Sequence, residues 1–155
     1  MQVLERLRRL VPGLWAGWLL CVALLATPAV FAQLGGAEAG RLVARMLAQE
    51  AYTSLALGVV MLALERLSAR QAADAGTGPQ FTTGMALALG ALFCTVAGYF
   101  AIQPLMPAAR AGQGAFTFGQ LHAASAAFYV AKGLFVLALA WRAARPAVTA
   151  PGPSS

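Results

Sequence analysis

The stretch from Gly13 to Ala32, GLWAGWLLCVALLATPAVFA, contains no charged residue. A transmembrane helix needs about 20 mostly apolar residues, so this run alone limits the chain to lipid or to the interior of a large protein. Three more runs follow: Ala51–Leu64 inside a span at about 48–67, Phe81–Gln103, and Phe118–Trp141. With 155 residues, 60% of them hydrophobic and 10% charged, the chain is too short and too apolar to hide such segments in a soluble core. A soluble domain carries about 25% charged residues. Transmembrane strands are excluded as well, since they alternate polar and apolar residues over about ten positions. The expected fold is an all-α membrane protein, a bundle of four transmembrane helices.

The organisation follows. Residues 1–12 form a basic leading segment, 13–145 the four-helix membrane domain, and 146–155 a tail, PAVTAPGPSS, with no core-forming residues and expected to be disordered. Arg6, Arg8 and Arg9 before the first span, with Val30-Phe31-Ala32 near its end, imitate a signal peptide. The apolar stretch is span-length, so it reads as an uncleaved helix. Ser68–Gln80 reads as a polar linker broken by Gly76, Gly78 and Pro79. Pro104 and Pro107 read as the stop of the third helix. Glu38–Glu50 is amphipathic and runs into the second span.

The formal net charge is +6, but no basic stripe suited to nucleic acid exists. Arg6, Arg8, Arg9, Arg66, Arg70, Arg142 and Arg145 fall on one side of the spans; Arg41, Arg45 and Arg110 fall on the other. This bias places both termini in the cytoplasm. Trp15, Trp18 and Trp141 read as interfacial residues at that same boundary. Two rows of small residues at four-residue spacing, Gly13-Gly17-Cys21 and Gly90-Cys94-Gly98, mark expected helix contacts. Cys21 and Cys94 read as small packing residues; a two-thiolate site for a soft metal is the alternative.

Polar residues inside spans are where function concentrates. His122, Ser125, Tyr129 and Lys132 are spaced three, four and three, which puts them on one stripe within about 80°. Interhelical hydrogen bonding is the plain role for the first three. Lys132 lies about 15 Å of helix from His122 and nearly as far from Trp141. It therefore needs a partner, a wet cavity or loss of its proton. Only 14 apolar residues separate Glu50 from Glu65, so Glu50 is expected at the outer rim of the hydrocarbon and an ion pair with Lys132 is not. Thr27 near the end of the first span, Thr95, Tyr99 and Gln103 on the third, and Tyr52 join Glu50 and the fourth-span stripe in an expected outer-leaflet pocket. The pocket candidates are Glu50, Tyr99, Gln103, His122, Ser125, Tyr129 and Lys132.

Motifs of catalysis are absent: one histidine, no paired carboxylates, no phosphate-cradling glycine loop, and a Ser125–His122 pair without an orienting acid. No catalytic residue, metal site or cofactor is expected. The expected role is a non-enzymatic membrane module that binds a small ligand or partner. Transport or handling of a small molecule, metal or haem, suggested by His122, Met46, Met61, Met106 and the cysteines, is the alternative; an enzyme using His122 with Glu50 is a third reading. Besides the lipid bilayer, a second copy or another membrane protein is an admissible partner.

The stretches ATPAVFAQLGGAEAGRLVARML, EAYTSLALGVVMLALE and LFCTVAGYFAIQPLMPAARAGQGAFTFGQLHAAS resemble the bacterial family called domain of unknown function 4149, which is similar to the transmembrane protein 205-like proteins. Pro28, Gln103-Pro104 and Leu121-His122 with Ser125 carry the resemblance, which covers roughly Leu14 to Arg145. It implies a four-helix protein of the bacterial inner membrane and no established activity. Many members carry asparagine where this chain has Tyr129.

Overall fold

The computed structural model describes residues 2–145; the tail expected to be disordered lies outside them. Four helices are long and apolar enough to cross a membrane: α1 (Gln2–Gln33), α2 (Gly36–Asp74), α3 (Thr83–Arg110) and α4 (Phe118–Ala144). No strand occurs among the described residues. α1 packs along α2 and α4, and α3 packs along the same two. The bundle is thus a ring in the order 1-2-3-4, with α2 and α4 on one diagonal. Short connections make neighbours antiparallel. Leu34–Gly35 joins α1 to α2, and residues 111–117 join α3 to α4.

Two helices start where the sequence supplies a partner for free backbone N–H groups. Thr117 and Gln120 form a reciprocal capping box on α4, and the Thr82 hydroxyl accepts from the Met85 N–H on α3. The Ser68–Gln80 linker is shorter than expected, and Glu38–Glu50 runs into the second span as a helix, as expected. α2 runs unbroken for 39 residues, absorbing Glu38–Glu50 at one end and Ser68–Asp74 at the other. At 1.5 Å per residue it is about 58 Å long, well beyond a hydrocarbon core of about 30 Å. Only from Ala75 does the chain turn, with Gly76 at φ +68°.

Prolines shape the bundle without ending it. α1 widens into a π-helical turn over Cys21–Ala26 and α3 over Val96–Ala101. A proline ring clashes with the carbonyl four residues earlier. For Pro28 and Pro104 these are Leu24 and Phe100, and both lie inside the π turns. Pro104 and Pro107, which read in the sequence as the stop of α3, do not end it. Each sits in the first turn of a new short segment, Gln103–Leu105 and then Met106–Arg110. There the missing N–H costs nothing, so the rod continues to Arg110.

The core fills only one half of the bundle. Near the end that carries Gln2 and Ala144, Trp15, Leu19, Met61, Leu64, Ala88, Ala91, Val136 and Leu139 pack together. At the far end a smaller cluster of Met106, Ala109 and Leu121 closes α3 against α4. Of the two expected small-residue rows, one makes contact. A methyl at Gly98 would lie 2.7 Å from Phe128 Cβ, and one at Gly90 would lie 3.0 Å from the Phe135 ring. Gly13 and Gly17 have open space beside them and Cys21 is exposed. That row faces away from the bundle, because Trp15, Ala16 and Leu19 take the inward face of α1.

Candidate functional site

Between the two packed regions lies a cavity of about 640 Å³ to which all four helices contribute. Its walls are largely apolar: Ala23 and Phe31 from α1, Val43 and Leu47 from α2, and Val130 from α4. The polar groups sit at two levels, the floor and the far end.

The floor is a hydrogen-bonded chain across the bundle. Trp15 Nε1 donates to Ser54 Oγ at 2.9 Å, and Ser54 Oγ donates to Glu50 Oε1 at 2.5 Å. Lys132 Nζ donates to both Glu50 oxygens, at 2.7 and 2.8 Å. The ammonium also lies 4.6 Å from the centre of the Tyr129 ring, within cation–π range. Glu50 is 2% exposed and Lys132 3%, so this is a fully desolvated ion pair on the α2–α4 diagonal. It overturns two expectations, that Glu50 lies at the outer rim and that Lys132 finds no carboxylate. Counting the second span from Ala51 places Glu50 too high. In the structure α2 continues as one helix beyond Glu50 through Leu47 and Val43, and Glu50 stands level with Lys132, midway along α4.

Two expected polar residues tie helices together. Tyr129 Oη donates to the Leu19 carbonyl at 2.9 Å, and Ser125 Oγ donates to the Gly98 carbonyl, in the α3 π turn, at 2.9 Å. Both side chains also line the cavity, as do Thr95 and Cys94. At the far end His122 stacks on Phe118, with ring centres 5.8 Å apart, and Arg110 lies over the same Phe118 ring at 4.7 Å. Gln103, Tyr99 and Thr27 complete this level. His122 stands ten residues of helix above Lys132, about 15 Å, so His122 and Glu50 share the cavity at opposite ends and not at a common depth. Tyr52 does not reach it; it is exposed and packs edge-on against Phe100.

The cavity is open on one side. Up to Leu20, α1 packs along α4; from Cys21 onward its packing is against α2. Beyond the π turn α1 has no comparable packing against α4, and the loss begins just above the Tyr129–Leu19 bond. The seam above that bond is bordered by Ala23, Thr27 and Phe31 on one side and Ala126 and Val130 on the other. Val130 is 61% exposed. The seam runs along the side of the bundle, between two helices long and apolar enough to cross a membrane.

Sequence reasoning missed a second polar cluster at the opposite end. Arg8 Nε donates to Glu65 Oε1 at 2.9 Å, and Arg8 Nη1 donates to Ser68 Oγ at 2.7 Å and Glu5 Oε2 at 3.2 Å. Thr82 Oγ1 donates to Glu65 Oε2 at 3.4 Å. Arg8 thus has a specific partner besides any role in topology. Trp15, read as interfacial, is fully buried, because its indole N–H serves Ser54; Trp141, 70% exposed, and Trp18, 39% exposed, remain on the surface. The signal for Trp15 was its spacing from Ala16 and Leu19, which share one apolar face. Among the described residues no three His, Cys, Asp or Glu side chains come together as a metal site, and the two cysteines are free.

The family described as domain of unknown function (DUF4149) matches residues 10–115, which takes in α1 from Leu10 onward, all of α2 and α3, and three of the four cavity walls. No curated protein and no solved structure matches the chain.

Proposed function

We propose that this multi-pass membrane protein, which belongs to the domain of unknown function (DUF4149) family, whose name assigns no activity, binds a small, lipid-soluble molecule in its cavity and catalyses no reaction on it. The observation that carries this reading is the lateral opening above a charged floor. Ligand sites are typically about 300–1,000 Å³, mostly apolar, with a few convergent polar groups; this cavity is about 640 Å³ and has that composition. A ligand reaching it through the α1–α4 seam would pass from acyl chains to apolar walls without crossing water. Its polar group would find Gln103, His122 and Arg110 at one level, and the Glu50–Lys132 pair at the other.

The same reading puts both termini in the cytoplasm of a bacterial inner membrane, supported by the arginine bias and the family resemblance. The cavity then opens in the outer leaflet. Native mass spectrometry of the protein in lipid nanodiscs tests the binding role. The wild type should retain a non-protein mass on the order of several hundred daltons, the size that such a cavity accommodates. Ala126→Trp, which fills the seam, should lose it. Equal retention by both proteins, or none by the wild type, would remove the reading.

Transport is a second reading, favoured by the π turns that flank the cavity on both α1 and α3, since single π turns often mark functional sites. Handling of a metal or haem is its narrower form. Stoichiometric copper or haem iron in purified protein would replace the binding role with that one.

A further inference from the structure

The second concave site lies at the other end of the bundle, far from the cavity and independent of its reading. It encloses about 210 Å³ among Arg8, Arg9, Arg142, Arg145, Glu5 and Glu65, with Met61 and Leu139 behind them. Four guanidinium groups and two carboxylates leave a surplus of two positive charges. The carboxylates are already committed: Glu65 to Arg8, and Glu5 to Arg8 and Arg9. Arg142 and Arg145 make no ion pair among the described residues. They stand on the last turn of α4 and just beyond it, where the carbonyl ends of the helix favour cations.

We propose that this cradle binds a phosphate-bearing anion, with Arg142 and Arg145 as its ligating residues and the Arg8–Glu65 pair as a rigid back wall. Guanidinium pairs suit phosphate oxygens because their donors form a planar fork. The wall is held by two hydrogen bonds, Arg8 to Ser68 and Thr82 to Glu65, and Gly84 leaves the room that the Glu65 carboxylate fills, since a side chain there would run into it. The cradle sits where the apolar runs of α1, α2 and α4 end, the level at which headgroups would lie around helices that cross a bilayer. Basic pockets between transmembrane helices bind anionic headgroups there. The phosphate has two candidate sources, an anionic phospholipid and a soluble phosphate ester.

The test uses the full chain in a neutral detergent, with binding read from thermal unfolding. Phosphatidylglycerol, phosphatidylcholine, glycerol 3-phosphate and inorganic phosphate are titrated separately. Stabilisation by phosphatidylglycerol but not by phosphatidylcholine assigns the headgroup. Stabilisation by glycerol 3-phosphate or phosphate at comparable concentration assigns a soluble ester. In either case Arg142→Gln with Arg145→Gln should weaken apparent affinity about thirtyfold, from about fivefold per arginine near a charged interface. Because both arginines are exposed and make no ion pair among the described residues, the double variant should unfold close to the wild-type temperature without ligand, apart from the small loss of cations at the helix end. No stabilisation by any of the anions, or full stabilisation of the double variant, would overturn the proposal. The Ala126→Trp variant should behave as wild type here, which separates this site from the cavity.

Discussion

Lys132 and Glu50 form the one contact whose removal should threaten the fold. Removing one member of a buried ion pair leaves an uncompensated charge and costs on the order of 3–5 kcal/mol. Lys132→Met and Glu50→Gln should each lower the unfolding temperature in detergent by the equivalent of that loss. The combination should recover most of it, because the amide introduced by Glu50→Gln can still accept from Ser54 and no charge remains. If Lys132→Met alone leaves the unfolding temperature unchanged or raised, the pair contributes nothing and Glu50 must be neutral without it. Tyr129→Phe is a milder change. It removes one bond to the Leu19 carbonyl, and interhelical hydrogen bonds in membranes average about 0.6 kcal/mol. Phenylalanine keeps the ring that faces the ammonium, so an effect as large as that of Lys132→Met would mean that the bond to Leu19 itself holds α4 against α1.

At the scale of a helix, the two glycine rows separate contact from composition. Gly98→Ala places a methyl against Phe128 Cβ and should destabilise by about 1–3 kcal/mol, the usual cost of overpacking. Gly13→Ala meets nothing and should stabilise by up to about 1 kcal/mol, the helix-propensity difference. Reversal of that order would show that the α1 row faces a partner. Pro28→Ala restores an N–H opposite the Leu24 carbonyl and should let the π turn relax toward an α-helix, narrowing the seam. In a Cys21→Ala background, a small methanethiosulfonate should then modify Cys94, on the cavity wall, severalfold more slowly than when Pro28 is present. An unchanged rate would mean that the seam does not control access.

For the whole molecule, the packed half and the hollow half predict different tolerance to change. Substitutions that enlarge Ala88 or Ala91, both fully buried in the core, should prevent stable folding. Those at Ala126 should be accepted. Orientation is open to the same kind of test. With the native cysteines replaced, a cysteine at residue 112 should react with an impermeant thiol reagent in intact cells and one at residue 74 should not. The opposite pattern would invert the protein and move the cavity to the cytoplasmic leaflet.

Apolar runs of span length between short breaks already make the chain all-helical, with four helices able to cross a membrane, because they leave no other solution in lipid. The sequence also placed the polar stripe of α4, since 3.6-residue periodicity is local. Whether that stripe meets α2 is not local. The depth of Glu50 depends on how far α2 slides along α4, and the length of α2 permits several registers. Packing of Trp15, Gly58 and Leu92 selects one of them, with Gly58 the close approach that lets α2 meet its neighbours. The seam between α1 and α4 goes with Pro28, whose ring faces the Leu24 carbonyl inside the α1 π turn, and beyond that turn α1 keeps its packing against α2. The Arg8–Glu65 pair joins residues 57 positions apart, and only the ring order of the helices brings them together. Periodicity reports which face of a helix is polar; which face it meets is a property of the assembled bundle.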